Sequence, residues 1–170
     1  MGHVESCITT SAPAEFAFAY TSDYRNLPKW MLGISRVDLV TEQPSGVGIV
    51  VDTAIDLGPK KLAIRLENVE WVEGKVLGFK TTKGLTATTS WRFDPLADGG
   101  SKITAIGDYK VDGLAGKVLD KILEAFFAMA IGHVKKHLSE QVDASYAETA
   151  SKTMPAGMVP GDIHQNLPQL

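Results

Sequence analysis

The chain has 170 residues, the size of one ordinary domain, and 44% of them are hydrophobic, enough for a core that needs neither disulfides nor a structural metal. A formal charge of −3, with Lys and Arg scattered along the chain, excludes the electrostatic footprint of a nucleic-acid binder. Cys7 is the single cysteine, so no intramolecular disulfide can form, and no basic region followed by an apolar run marks a secretory signal. The expected location is therefore the cytoplasm. The most apolar stretch, 122–131, is short and interrupted by Glu124, so it does not read as a membrane span.

Val4 to Thr10 reads as a first strand. Ser11-Ala12-Pro13-Ala14-Glu15 then opens a helix, with Ser11 or Ala12 near the cap, proline in the first turn and a carboxylate soon after. Phe16, Phe18 and Tyr20 continue it, and a second short helix covers Tyr24 to Met31. From Ser35 the pattern turns to strands. Ser35 to Thr41 ends at the turn signal Gln43-Pro44-Ser45-Gly46. Ile49, Val51, Thr53, Ile55 and Leu57 then share one face, with Asp52 and Asp56 on the other. After Gly58-Pro59, Leu62, Ile64 and Leu66 alternate against Arg65 and Glu67. Val69 and Trp71 have the opposite parity, which predicts a bulge near Glu67-Asn68 that bends the sheet. Strands over Val76–Thr81, Leu85–Phe93 and Ile103–Val111 bring the total to seven at hairpin spacing, a meandering antiparallel sheet.

From Leu114 to about Tyr146 there is no proline, and apolar residues recur at 118, 119, 122, 123, 126, 127, 130, 134 and 138. That is helical periodicity with a broad buried face, long enough to span a sheet. The remaining residues, with three prolines and two glycines, read as a tail.

Strand, two short helices, six strands and a long helix is an order that resembles the START-like, Bet v 1-like superfamily of polyketide cyclases, dehydrases and lipid-transfer proteins. The resemblance covers about residues 4–145. It is carried by Ser11-Ala12-Pro13-Ala14-Glu15, by Asp23-Tyr24-Arg25-Asn26-Leu27-Pro28-Lys29-Trp30, and by Trp91-Arg92-Phe93-Asp94-Pro95 leading to Gly99-Gly100-Ser101-Lys102-Ile103-Thr104. It implies an α+β helix-grip fold: a curved seven-stranded antiparallel sheet around a long C-terminal helix, with two short helices after the first strand. Residues 1–146 would form the ligand-binding domain and 147–170 an extended or poorly ordered tail. A fainter resemblance links Lys152-Thr153-Met154-Pro155-Ala156 through His164-Gln165 to the tail of bacterial aromatic polyketide aromatase/cyclase domains. Those domains carry an inward arginine in the middle strands, whereas Leu66-Glu67-Asn68-Val69-Glu70-Trp71 has none.

In such a fold the concave face of the sheet and the long helix bound the cavity. Alternation puts Thr53, Thr89, Trp91 and Tyr109 on that face, with Ala105 and Gly107 as small neighbours that leave room for a ligand or for the helix. A buried Tyr109 needs a hydrogen-bond partner, either a nearby carbonyl or a ligand. His133 and His137 lie one helical turn apart on the apolar face by the 100° count, either as core histidines or with His133 as an acid, base or ligand donor. No third ligand or intervening Glu supports a metal site, and no phosphate loop or other cofactor motif is present. Tyr109 and His133 are the candidate catalytic residues. Trp30, Trp71 and Trp91 are candidate flat walls, with Trp30 expected at the pocket mouth. Thr53, Thr89, Phe126 and Met129 join them as candidate ligand contacts. Arg65, on the polar face of its strand, is either a solvent-facing charge or a further contact.

Three functions suit this reading. A cofactor-independent polyketide cyclase would close a ring in a folded hydrophobic chain by an aldol or related step, with an acyl carrier protein as a possible partner. A non-catalytic carrier would hold a lipid, quinone or polyketide. A protein-partner module would leave the core filled.

Overall fold

The structure is a computed structural model and describes residues 2–110 and 117–153. β1 (Gly2–Thr10) leads into α1 (Ala14–Ser22), a 3-10 turn over Tyr24–Asn26 and the single-turn α2 (Leu27–Trp30). Six strands follow: β2 (Ile34–Leu39), β3 (Val50–Asp56), β4 (Lys61–Val72), β5 (Val76–Lys83), β6 (Thr86–Pro95) and β7 (Ser101–Lys110). α3 (Lys117–Thr153) comes last. The sheet order is β1-β7-β6-β5-β4-β3-β2, antiparallel throughout. This is the curved-sheet, long-helix architecture of the helix-grip fold.

The topology explains the short helices. β1 and β2 are consecutive in sequence but occupy opposite edges of the sheet, so the segment between them must cross it. α1 makes that crossing, packing on β5, β6, β7 and α3. Its N-cap is Pro13, with no side-chain capping bond. Ser11, expected near that cap, instead donates from its backbone and hydroxyl to Asp143 of α3, at 2.8 and 3.0 Å.

Alternation holds on β3, where Val51, Thr53 and Ile55 are buried and Asp56 is exposed. β4 departs from the expected pattern. Asn68 pairs with Phe79 and Glu70 with Gly78, so Val69 is the extra residue of a bulge. Val69 is therefore turned outward at 43% exposure, while Asn68 is buried. Trp71 regains the inner side and stacks edge-on against Phe18 at 5.1 Å. The expected inward pair of Val69 and Trp71 is thus half right, because one inserted residue changes parity once and only residues beyond it shift.

α3 is about 55 Å long at 1.5 Å per residue. Its buried stripe is Leu123, Phe126, Val134, Leu138 and Val142. The helix continues seven residues beyond 146, so the first part of the expected tail is helical; 154–170 lie outside the described residues, as do 114–116. Two hydrophobic clusters sit along the helix. One gathers Val134, Leu138 and Val142 with α1, Phe93 and Ile103; the other gathers Leu123 and Phe126 with Ile34, Ile55, Ile64 and Leu85. Between these two cores the packing opens.

Candidate ligand-binding site

The opening arises where small side chains meet. β7 offers Ala105 and Gly107, and α3 offers Ala130, so helix and sheet are held apart by the larger residues at either end. The result is a cavity of about 150 Å³ bordered by these three residues, Val4 and Ser6 of β1, and Phe126, Ile131 and Val134 of α3. A second lobe of about 120 Å³ lies toward β3–β6, bordered by Trp30, Thr53, Leu66, Phe79, Thr81 and Leu85 among others. The lobes share Met31, Ile34, Ile55, Thr89, Trp91 and Phe127, which form a waist between them. An apolar cavity of about 150 Å³ holds a benzene ring. Two lobes joined through a waist that includes a flexible methionine suit two or three fused rings or a chain of similar length.

The walls are almost free of polar groups, and among the described residues no ionisable side chain borders either lobe. Most of the hydroxyls present are already engaged. Thr53 Oγ1 donates to the Arg36 carbonyl at 2.7 Å, and Thr81 Oγ1 donates to Leu85 and accepts from the Ala87 amide. Thr89 Oγ1 accepts from Trp91 Nε1 at 3.3 Å. Ser6 Oγ and Trp30 Nε1 are buried without a partner. A shallow cleft outside is lined by Leu32, Gly33, Leu57, Ile122, Phe126 and Met129. Leu32 and Phe126 border both cleft and cavity, so they stand at the mouth. Gly33 has φ +75°, and a Cβ there would come within 3.1 Å of the Phe126 ring, so the turn into β2 fits closely against this aromatic.

The structure brings Trp30, Thr53, Thr89, Trp91 and Phe126 together on the cavity wall. Trp30 is not at the mouth as expected. It is 1% exposed and packs edge-on against Trp91 at 5.4 Å. Met129 is 63% exposed and borders only the outer cleft. Trp71 belongs to the α1 core, and its Nε1 donates to Glu73 at 2.8 Å. Tyr109 borders neither lobe; its ring stacks on Phe127 at 4.2 Å. Ser6, Met31, Phe127 and Ala130 were not among the expected contacts. For Ser6 a signal was present, since it lies between Val4 and Ile8 on the inner face of β1.

Arg65 is on the other side of the sheet. Its guanidinium forks onto Asp52, its cross-strand partner, with Nε–Oδ1 at 2.6 Å and Nη2–Oδ2 at 2.7 Å. That hydrogen-bonded pairing lowers the Asp52 pKa and raises that of Arg65. It does not border the cavity, because alternation from buried Ile64 turns it outward. Arg65→Ala is accordingly expected to leave the affinity for a hydrophobic ligand unchanged within about twofold in a fluorescence titration. A loss of about tenfold would return the arginine to the site.

His133 borders neither lobe either. It and His137 flank the buried Val134 and Leu138, with their rings 4.0 Å apart, and His137 Nδ1 lies 3.7 Å from Glu140. Partial burial, and then the neighbouring His137, hold the His133 imidazole below its ordinary value. As pH falls, the unfolded chain takes up this proton before the native state does. The linked stability is whole above the ordinary value of 6.5 and is lost as pH drops through the lowered native value. Urea midpoints should therefore fall between about pH 7 and about pH 5, and fall less in His133→Gln. An equal fall in both proteins would assign the effect to other groups.

A curved sheet gripping a helix around an apolar, two-lobed cavity defines a ligand-binding helix-grip protein. The chain belongs to the family described as polyketide cyclase/dehydrase and lipid transport, whose model matches residues 1–140. No curated protein matches it. Among solved structures it is similar to a protein of Thermus thermophilus, with TM-score 0.70, 19% identity, and coverage of 85% of this chain and 99% of the other. It is also similar to the Zhui aromatase/cyclase of a Streptomyces species, with TM-score 0.67, 17% identity, and coverage of 93% and 99%. A START superfamily protein of Mycobacterium smegmatis gives TM-score 0.66, 14% identity, and coverage of 84% and 98%. At these identities the structural matches speak for the fold alone. Among the described residues no helix is long and apolar enough to cross a membrane, and no group of three or more His, Cys, Asp or Glu could hold a metal ion.

Proposed function

We propose that this protein binds and carries an uncharged hydrophobic small molecule, a lipid, quinone or polyketide by class. The observation that carries the reading is the cavity wall: two apolar lobes with no ionisable side chain on either among the described residues. A general acid or base must come within hydrogen-bond reach of the proton it moves. Neither His133 nor Tyr109 borders the space where a ligand would sit. A buried charge on the ligand would find no partner among the described residues of this wall, which favours a neutral ligand.

The test is native mass spectrometry of freshly purified protein, followed by denaturing extraction and a thermal-shift titration with neutral polycyclic and acyl compounds. A bound species at one per chain, or stabilisation growing as RT ln(1 + [L]/Kd), is the expected result. An apo mass together with no stabilisation by any of these compounds would sink the proposal.

A second reading, cyclisation of a polyketide chain, is favoured by the family description and by the extent of the match to the Zhui aromatase/cyclase. In that reading catalysis would rest on folding the chain within the two lobes, since proximity alone removes much of a ring-closure barrier. An acyl carrier protein would then be the donor. Incubating the protein with a linear polycarbonyl compound separates the readings: unchanged compound recovered from the complex supports carriage, and a cyclised product at a rate above the buffer control supports catalysis.

A further inference from the structure

The two lobes share six residues, and four of them, Ile34, Ile55, Thr89 and Trp91, come from strands of one sheet. The sheet runs on beneath both lobes, so these four are common floor. The narrowing is made by the two that do not belong to the sheet, Met31 after α2 and Phe127 of α3. Met31 is an unbranched thioether chain that yields readily. Phe127 does not. Its ring stacks on Tyr109, with centroids 4.2 Å apart and planes inclined by 26°. Tyr109 in turn lies over Gly2, its cross-strand partner, so closely that any Cβ at Gly2 would overlap the phenol ring. Phe127 is thus a fixed jaw and Met31 a movable one. Among the described residues Phe127 is also the only part of α3 that borders the second lobe.

We infer that Phe127 is the specificity-determining residue of this cavity, selecting linear fused rings or unbranched chains that thread both lobes over broad polycycles, with Tyr109 as the positioning residue behind it. This rests on the hydrophobic-ligand reading and narrows it by shape. A slender ligand passes between Met31 and Phe127 and covers the apolar wall of both lobes. A broad one must stay in a single lobe, leaving the other wall uncovered, or push Phe127 off its stack and lose the aromatic contact.

Anthracene and pyrene are fluorescent hydrocarbons of nearly equal length, and pyrene is the broader. Fluorescence titration of both tests the inference, because the ratio of their affinities cancels the general gain from added space. The ratio of pyrene to anthracene affinity is expected to rise about tenfold in Phe127→Ala relative to wild type. Ile131→Ala enlarges the first lobe and leaves the waist intact, so its ratio should stay within about twofold of wild type. An unchanged ratio in Phe127→Ala, or an equal rise in Ile131→Ala, would overturn the assignment.

Tyr109→Phe keeps a stacking ring and should keep the wild-type ratio, whereas Tyr109→Ala releases Phe127 and should raise the ratio about threefold. Equal ratios in these two variants would overturn the positioning role. Should Phe127→Ala fail to fold, Phe127→Leu takes its place, with an expected rise of about threefold and the same Ile131→Ala control. Binding of both hydrocarbons with an unmoved ratio would leave the carrier reading standing and this one fallen. Binding of neither would count against the carrier reading itself.

Discussion

Phe18→Ala is expected to lower the unfolding free energy by about 3–5 kcal/mol, moving the urea midpoint down by about 2 M. Phe18 is fully buried, edge-on to Trp71 at 5.1 Å and to Phe93 at 5.4 Å. It joins three parts of the chain: α1, the post-bulge end of β4, and β6. Alanine there leaves a ring-sized void whose walls belong to separate elements of a stiff sheet, so little relaxation can fill it. Removing the ring also loses two edge-to-face contacts, worth about 0.5–1.5 kcal/mol each beyond the area term. Phe16→Ala serves as the comparison. Phe16 is only partly buried and meets Tyr146 at 5.1 Å, so its loss should be clearly smaller. A Phe18→Ala loss below about 1 kcal/mol would mean that α1 does not hold this position in solution.

Ala130→Phe should abolish ligand binding, with affinity falling about 100-fold, while the protein stays folded. Ala130, Ala105 and Gly107 border the same lobe and together create its space. A phenyl group at 130 would occupy the volume a ligand ring needs. Overpacking a filled core costs about 1–3 kcal/mol, but here the added ring enters a void, so the cost should lie at or below the lower end. Ala128→Phe is the control, because Ala128 is exposed on the same helix and leaves the cavity untouched. Wild-type affinity in Ala130→Phe would place the ligand elsewhere, and the outer cleft beside Met129 would be the next place to look.

The fold was legible because its signals are periodic. Alternation on β3 and the helical repeat of α3 read directly as inward and outward faces, and Gly-rich turns separated the strands. The room left by Ala105 and Gly107 was legible for the same reason. Much of the rest turns on events that break a period. The bulge at Val69 hid the burial of Asn68, since a parity count cannot say at which residue the extra unit enters. His133 and His137 fell on the apolar face by a 100° count, yet they sit at its margin, where a few tens of degrees separate a buried position from a half-exposed one. Trp30 followed the opposite path. Its place on the crossing segment suggested a rim, and tertiary packing against Trp91 sealed it inside. Arg65 could be placed on the polar face of its strand but not given a role, either solvent-facing charge or ligand contact; on that face it forks onto Asp52.

The pairing of β1 with β7 has a consequence during synthesis. Its register joins Gly2 to Tyr109 and Thr10 to Ser101, so the first strand of the sheet to be made waits for the last. At ribosomal speeds of about 5–20 residues per second, β1 spends about 5–20 seconds outside the exit tunnel before its partner exists. The meander from β2 to β7 can zip neighbour to neighbour as it emerges, but the cavity cannot close over a ligand until β1 brings Val4 and Ser6 to its wall. A nascent chain is thus a sheet without its β1 edge until β7 is made, and it cannot trap cargo until α3, made later still, brings Phe126, Ala130 and Val134 to the wall. During that wait His3, Glu5, Cys7 and Thr9 alternate with the apolar side of β1, and this polar half makes the lone strand a poor template for aggregation.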